Sequence, residues 1–155
     1  MSWDVLIINS SDKPPIDEYW NNPDIPSFGS RIDVQSRISA LFPAVTWDNG
    51  YGHLRNDIYV GHISLGQEDP LDGSFILHVY GGEDPIGFIT TICKAYSWSA
   101  FDTTTFEYIE IGDPSAEGWK EFQDFRQHVV SQMNGSSARL AEGHHPHNKW
   151  WQFWK

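Results

Sequence analysis

Cysteine is nearly missing from this chain, with Cys93 standing alone. Disulfides and cysteine-built metal knuckles need thiols in sets, so both are excluded within the chain. A reducing, cytoplasmic home is therefore expected. No run of about 18 apolar residues occurs, the minimum for a helix that crosses a bilayer. The stretch MSWDVLIINSSDKPP lacks a positive leading region and a small-residue cleavage site, so it reads as a first strand and not as a signal peptide. Basic residues are also scarce. Residues 1–134 hold 7 Lys and Arg against 20 Asp and Glu, a net charge of −13. Phosphate backbones must be met by Lys and Arg, so a nucleic-acid partner is not expected. A body of this charge favours solubility or a basic protein partner steered by its field.

Catalytic signatures are missing too. Gly81-Gly82 precedes a helix start, but neither GxGxxG nor GxxxxGK[ST] is present, and Glu83 and Asp84 stand where an anion would approach. The pair reads as a turn and a cap. There is no HExxH. Asp102-Thr103-Thr104-Thr105 places hydroxyls beside a carboxylate, yet no base is adjacent, so a hairpin turn is the simpler reading. Cys93 falls on the apolar side of its helix, where a thiol is inert. No motif implies a cofactor, and an enzymatic role stays open.

What the chain has is apolar mass and clear punctuation. Aromatic residues make up 15%, including 8 Trp, enough for one well-packed core. Trp3–Ile8 is apolar on both faces and reads as a buried strand. Residues 10–30 hold Pro14, Pro15, Pro23 and Pro26, which forbid regular structure. At about 20 residues this loop is long for a compact domain, and Tyr19 and Trp20 in it either pin it to the core or contact a partner. Ser30 with Asp33 has capping-box spacing, and Val34, Ile38, Leu41 and Phe42 mark one helical face before Pro43 stops it. A short strand is expected at 45–48 and a longer one at 58–65, separated by the turn residues Asn49-Gly50 and Gly52.

The second half is clearer. Phe75–Tyr80 is a central strand. Asp84 at N-cap and Pro85 at N1 open a helix whose buried face is Ile86, Ile89, Ile92 and Cys93. Strands follow at 98–101 and 106–111. A third helix carries Trp119, Phe122, Phe125, Val129 and Met133 at helical spacing and is expected to end at Asn134-Gly135. The order strand–helix–strand–strand is thus written twice. It predicts an α+β fold: a mainly antiparallel sheet of about six strands from two β-α-β-β units, the first two helices on one face, then a C-terminal helix. Residues 1–134 form the domain, and 135–155 form a linker and an aromatic, His-rich tail.

Two features carry the candidate chemistry. If the connector around Pro70 is a symmetric hairpin, His62 and His78 face each other across two strands. With Asp102, they are the candidate ligand or metal residues. The other feature is the tail, in which Trp150, Trp151, Phe153 and Trp154 are too many aromatics to leave in water. It either packs on its own domain, docks on a partner or a second copy as a homodimer contact, or binds metal through His144, His145 and His147. Tyr19, Trp20 and these four tail residues are the candidate partner-binding set.

The block from Ser74 to Ile111 has HVYGG, then DPI, then an apolar helix with Cys, then AFDT before the last strand. In this it resembles a group of small uncharacterised bacterial cytosolic proteins, over most of residues 1–130. The resemblance implies an α+β fold and no catalytic residue. By size and acidity the chain also resembles bacterial immunity proteins, which neutralise a toxin by binding it. The leading expectation is a non-enzymatic binding protein with a protein partner, of the kind a basic toxin would be. The alternatives are a small enzyme or ligand-binding domain with a cleft near His62, His78 and Asp102, and a homo-oligomer assembled through the tail.

Overall fold

The computed structural model describes residues 1–17, 20–114 and 116–136. One compact unit spans Met1–Phe122, and Gln123–Lys155 form a second. Every position of β1 (Trp3–Ile8) is buried, as its doubly apolar sequence demands. Ser30 caps α1 (Arg31–Leu41) by accepting a hydrogen bond from the Asp33 amide at 3.1 Å. Three short strands follow: β2 (Thr46–Asp48), β3 (Tyr51–Arg55) and β4 (Val60–Ser64). The long strand β5 (Ser74–Gly81) leads into α2 (Pro85–Tyr96), whose Asp84 cap accepts from the Gly87 amide at 2.8 Å. Then come β6 (Ser99–Asp102), β7 (Glu107–Tyr108) and α3 (Glu117–Ser136).

The strands form one open sheet of seven in the order β2-β3-β4-β5-β1-β6-β7, every pair antiparallel. Two central strands, β1 and β5, share six paired positions. The expected α+β architecture is present with one strand more than its two units supply. Tyr51–Arg55 reads in sequence as part of a turn, yet it pairs with both β2 and β4. Its inward positions are Gly52 and Leu54, so half of its apolar signal is absent. The ring of Trp47 fills the space over Gly52. The last strand is shorter than its apolar run suggests: it starts after Phe106, whose φ is +58°, and pairs with β6 only at Glu107 and Tyr108. Helix α3 runs on past Asn134-Gly135 to Ser136.

Strand parity divides the sheet into two faces. Trp3, Val5, Ile7, Leu77, Val79 and Ile63 point to one, where Val34 and Ile38 of α1 and Phe88, Ile89 and Ile92 of α2 join them in a single core. The two helices touch: the Phe42 and Phe88 rings lie 4.3 Å apart, and the Tyr96 hydroxyl donates to the Arg37 carbonyl at 2.6 Å. In the first turns of α3, Trp119 and Phe122 complete this core, with Trp119 at 5.6 Å from Trp3. Each such buried side chain contributes about 2 kcal/mol. Burial also pushes the Cys93 thiol up to about 12, which makes it the inert core residue its helix face implies.

Among the described residues, no helix packs on the other face. Half of it is covered by the proline-rich segment. Ile16, Trp20 and Ile25 pack on Leu6, Ile8 and Phe101. Phe28 enters the main core, and its amide donates to the Leu71 carbonyl at 2.9 Å. Trp20 is thus half-buried and holds the loop to the sheet. Among the described residues, none packs over the remaining half, above β2 to β5.

Candidate functional site

The open half of the sheet carries a row of polar side chains in strict cross-strand register. Asp4 pairs with His78, His78 with His62, His62 with His53, and His53 with Thr46. The His62–His78 pairing is the one that a hairpin symmetric about Pro70 requires. Each of these residues occupies the outward parity of its strand, so the row follows from backbone pairing alone. The His53 and His62 rings stand perpendicular with centroids 4.6 Å apart. The His78 Nδ1 lies 2.8 Å from Asp4 Oδ1, and Ser2 Oγ donates to the same oxygen at 2.6 Å. Asp4 is buried, and these two contacts supply its side-chain hydrogen-bond partners.

An irregularity in β5 shapes the row. Gly61 pairs with Val79, but Val60 pairs with Gly81, so Tyr80 is an extra residue in the ladder. Two residues beyond His78 on the same face, the Tyr80 hydroxyl lies 3.3 Å from His62 Nδ1, with the two rings 5.1 Å apart. On the opposite side of the sheet, Tyr59 lies under Gly61. Its hydroxyl is 3.2 Å from the His62 carbonyl and 3.2 Å from the His78 carbonyl, and its ring stacks on Phe88 at 4.2 Å. The backbone beneath the histidines is therefore fixed by a buried hydrogen-bonded ring, whose acidity burial strongly suppresses. Above it runs a groove of about 520 Å³ that includes Thr46, His53, Arg55, His62 and Tyr80 in its walls.

Protonation of His62 is disfavoured. Partial burial lowers its pKa from the ordinary 6.5, and the neighbouring His53 and His78 lower it further. The unfolded chain therefore takes this proton first as pH falls. Stability from this group is whole above pH 6.5, declines as pH drops below that value, and levels off beneath the folded-state pKa. Replacing His62 with Gln is expected to flatten the fall in melting temperature from about pH 6.5 downward, as thermal unfolding across that range would record. An unchanged slope would show that folding does not oppose a proton on His62.

Asp102 does not join the histidines. It pairs with Val5 across β6 and β1, which places it on the helix-covered face. Its Oδ1 accepts from the Trp3 indole at 3.0 Å and from the Thr104 amide at 2.8 Å, so it organises the turn at 102–105. Its Oδ2 fits against Gly118, where a Cβ would come within 1.6 Å. The cleft expected from His62, His78 and Asp102 is replaced by a row in which Asp4 is the carboxylate. Among the described residues, no three His, Cys, Asp or Glu side chains are grouped to hold a metal ion. His53, Arg55, Tyr80 and Asp4 are the site residues that sequence reasoning missed. A hairpin turn at Asp57–Ile58 would have set His53 opposite His62. Tyr19, Trp150, Trp151, Phe153 and Trp154, with His144, His145 and His147, lie outside the described residues.

The fold and this face define a class: an α+β protein with helices on one face of an open antiparallel sheet and a histidine-lined groove on the other. No protein-family model, curated protein or solved structure matches this chain. Among the described residues, no helix is long and apolar enough to cross a membrane.

Proposed function

We propose that this chain is a non-enzymatic protein-binding module of bacterial immunity type, acting in the cytoplasm on a basic protein such as a toxin. The observation that carries this reading is the placement of its carboxylates. Asp57, Glu83 and Asp84 are exposed on two loops at one end of the sheet, and those loops are tied together by Glu83 N to Asp57 O at 2.7 Å and Asp84 N to Ile58 O at 3.2 Å. Glu68, Asp69 and Asp72 are exposed on the β4–β5 connector at the other end. Acidic side chains on pinned loops give a fixed negative field, which steers a basic partner and sets its register. The interior groups Asp102, Tyr59 and Cys93 are committed to packing and structural hydrogen bonds, which speaks for binding over catalysis.

The test starts from the partner recovered by pulldown from native extract. Its affinity for the purified chain is expected to fall steeply with ionic strength, and reversing Asp57 and Glu83 to Lys together should weaken it by about tenfold or more, chiefly through slower association. A tight complex indifferent to both salt and charge reversal would sink this reading.

A further inference from the structure

We propose that the groove on the face opposite α1 and α2 is a binding site for a small oxyanion-bearing molecule, whose phosphate or carboxylate head is held by Arg55, His53 and His62. This goes beyond the partner reading and does not depend on it, since the acidic loops lie at the ends of the sheet and the groove lies on its face.

The walls are the first argument. Arg55, His53, His62, Tyr80 and Thr46 all offer N–H or O–H donors, and among the described residues no carboxylate lines the groove. That is anomalous in a chain with 21 acidic and 10 basic residues. Arg55 is exposed, and among the described residues no ion pair holds it. It stands two positions from His53 on the same strand, hence on the same face, and pairs with Val60 beside His62. A guanidinium and two imidazoles thus border one patch of open space. About 520 Å³ is room for a small molecule and not merely an ion.

The second argument is preorganisation. Tyr80, on the same face as His78, contacts His62 through Nδ1. The hydroxyl accepts from a protonated ring or donates to a neutral one, so it supports His62 in either state and leaves Nε2 to meet a ligand. The third argument is electrostatic. Burial, His53 and His78 together oppose a proton on His62. The groups facing that ring are His53 and Arg55 from β3 and His78 and Tyr80 from β5, while the carboxylate of Asp4 is engaged beyond His78. An anion in the groove supplies the missing negative charge, so binding and protonation of His62 reinforce each other.

The experiment titrates the full chain with inorganic phosphate and, separately, with malonate, at about pH 6 and about pH 7.5, following the histidine ring signals by NMR. Saturable shifts of the His53 and His62 rings are expected, with affinity rising by up to about tenfold per pH unit toward acid and the His62 titration moving up. Arg55→Gln and His53→Gln, both at exposed positions, should each weaken binding by about tenfold, the loss of one charge-assisted hydrogen bond, while Lys120→Gln leaves it unchanged. A preference for phosphate marks a phosphate monoester as the ligand head and a preference for malonate marks a carboxylate; either supports the site. No saturable shift with either anion, affinity indifferent to pH, or binding that survives both groove substitutions would overturn it.

Discussion

Alanine at position 61 should destabilise the protein by about 3 kcal/mol, although it adds one methyl group. Gly61 sits where β4 and β5 come together over Tyr59. A Cβ there would lie 2.0 Å from the His78 carbonyl oxygen and 2.8 Å from the Tyr59 ring. Neither neighbour can yield cheaply. The carbonyl belongs to the backbone ladder next to the bulge, and Tyr59 is fully buried, with its hydroxyl between two carbonyls and its face on Phe88. Displacing the ring would break those hydrogen bonds in the interior, where an unpaired hydroxyl costs about 1–3 kcal/mol. Gly112→Ala is the natural control, because a Cβ there meets nothing within 4 Å. Urea unfolding of both variants checks this. A loss below about 1 kcal/mol at position 61 would show that the strands can part over Tyr59 without penalty. Because His62 and His78 flank this contact, the surviving fraction of folded Gly61→Ala should also show altered histidine ring signals.

The second large effect concerns Asp102. Removing its carboxylate with Asp102→Ala orphans the indole N–H of the buried Trp3 and the amide of Thr104. The expected loss is about 2–4 kcal/mol, measured by chemical denaturation, with a shift in Trp3 fluorescence. Gly118→Ala alone should be harmful as well, since its Cβ would fall 1.6 Å from Asp102 Oδ2. The double variant is the informative one. With the carboxylate gone, the new methyl enters the space it vacated, so the two losses should fall short of their sum by about 1 kcal/mol or more. Strict additivity would mean that the carboxylate and the helix start are not in contact. Asp102→Ala should leave phosphate or malonate binding in the groove unaltered in any molecules that fold, because the residue is on the other face.

Much of this architecture is legible in the chain. The caps Ser30 and Asp84, the Pro85 that follows the second, and the apolar parity of Trp3–Ile8 and Phe75–Tyr80 place two helices and two central strands. They do so because each rests on local stereochemistry. The pairing of His62 with His78 is legible for the same reason, as a hairpin sets register from its own turn. Tyr51–Arg55 is hidden because Gly52 gives up its apolar position to the ring of Trp47, a residue of the neighbouring strand. Asp102 is misplaced for a different reason. Which face it takes depends on β6 pairing with β1, nearly a hundred residues away, and no local pattern contains that parity. Tyr80 shares the outward parity of His78, so alternation alone puts it on the groove face; the bulge beside it is a mismatch between two strands that neither strand shows alone.

The sheet ends on one side in a strand of three residues, Thr46–Asp48, and on the other in one of two residues, Glu107–Tyr108. Each carries an exposed carboxylate, Asp48 or Glu107. A foreign strand seeking to extend the sheet would find at most three residues of backbone to bind and a negative charge among them. Concentrated solutions of the described body should therefore resist fibrous growth edge to edge, even though the sheet is open at both flanks.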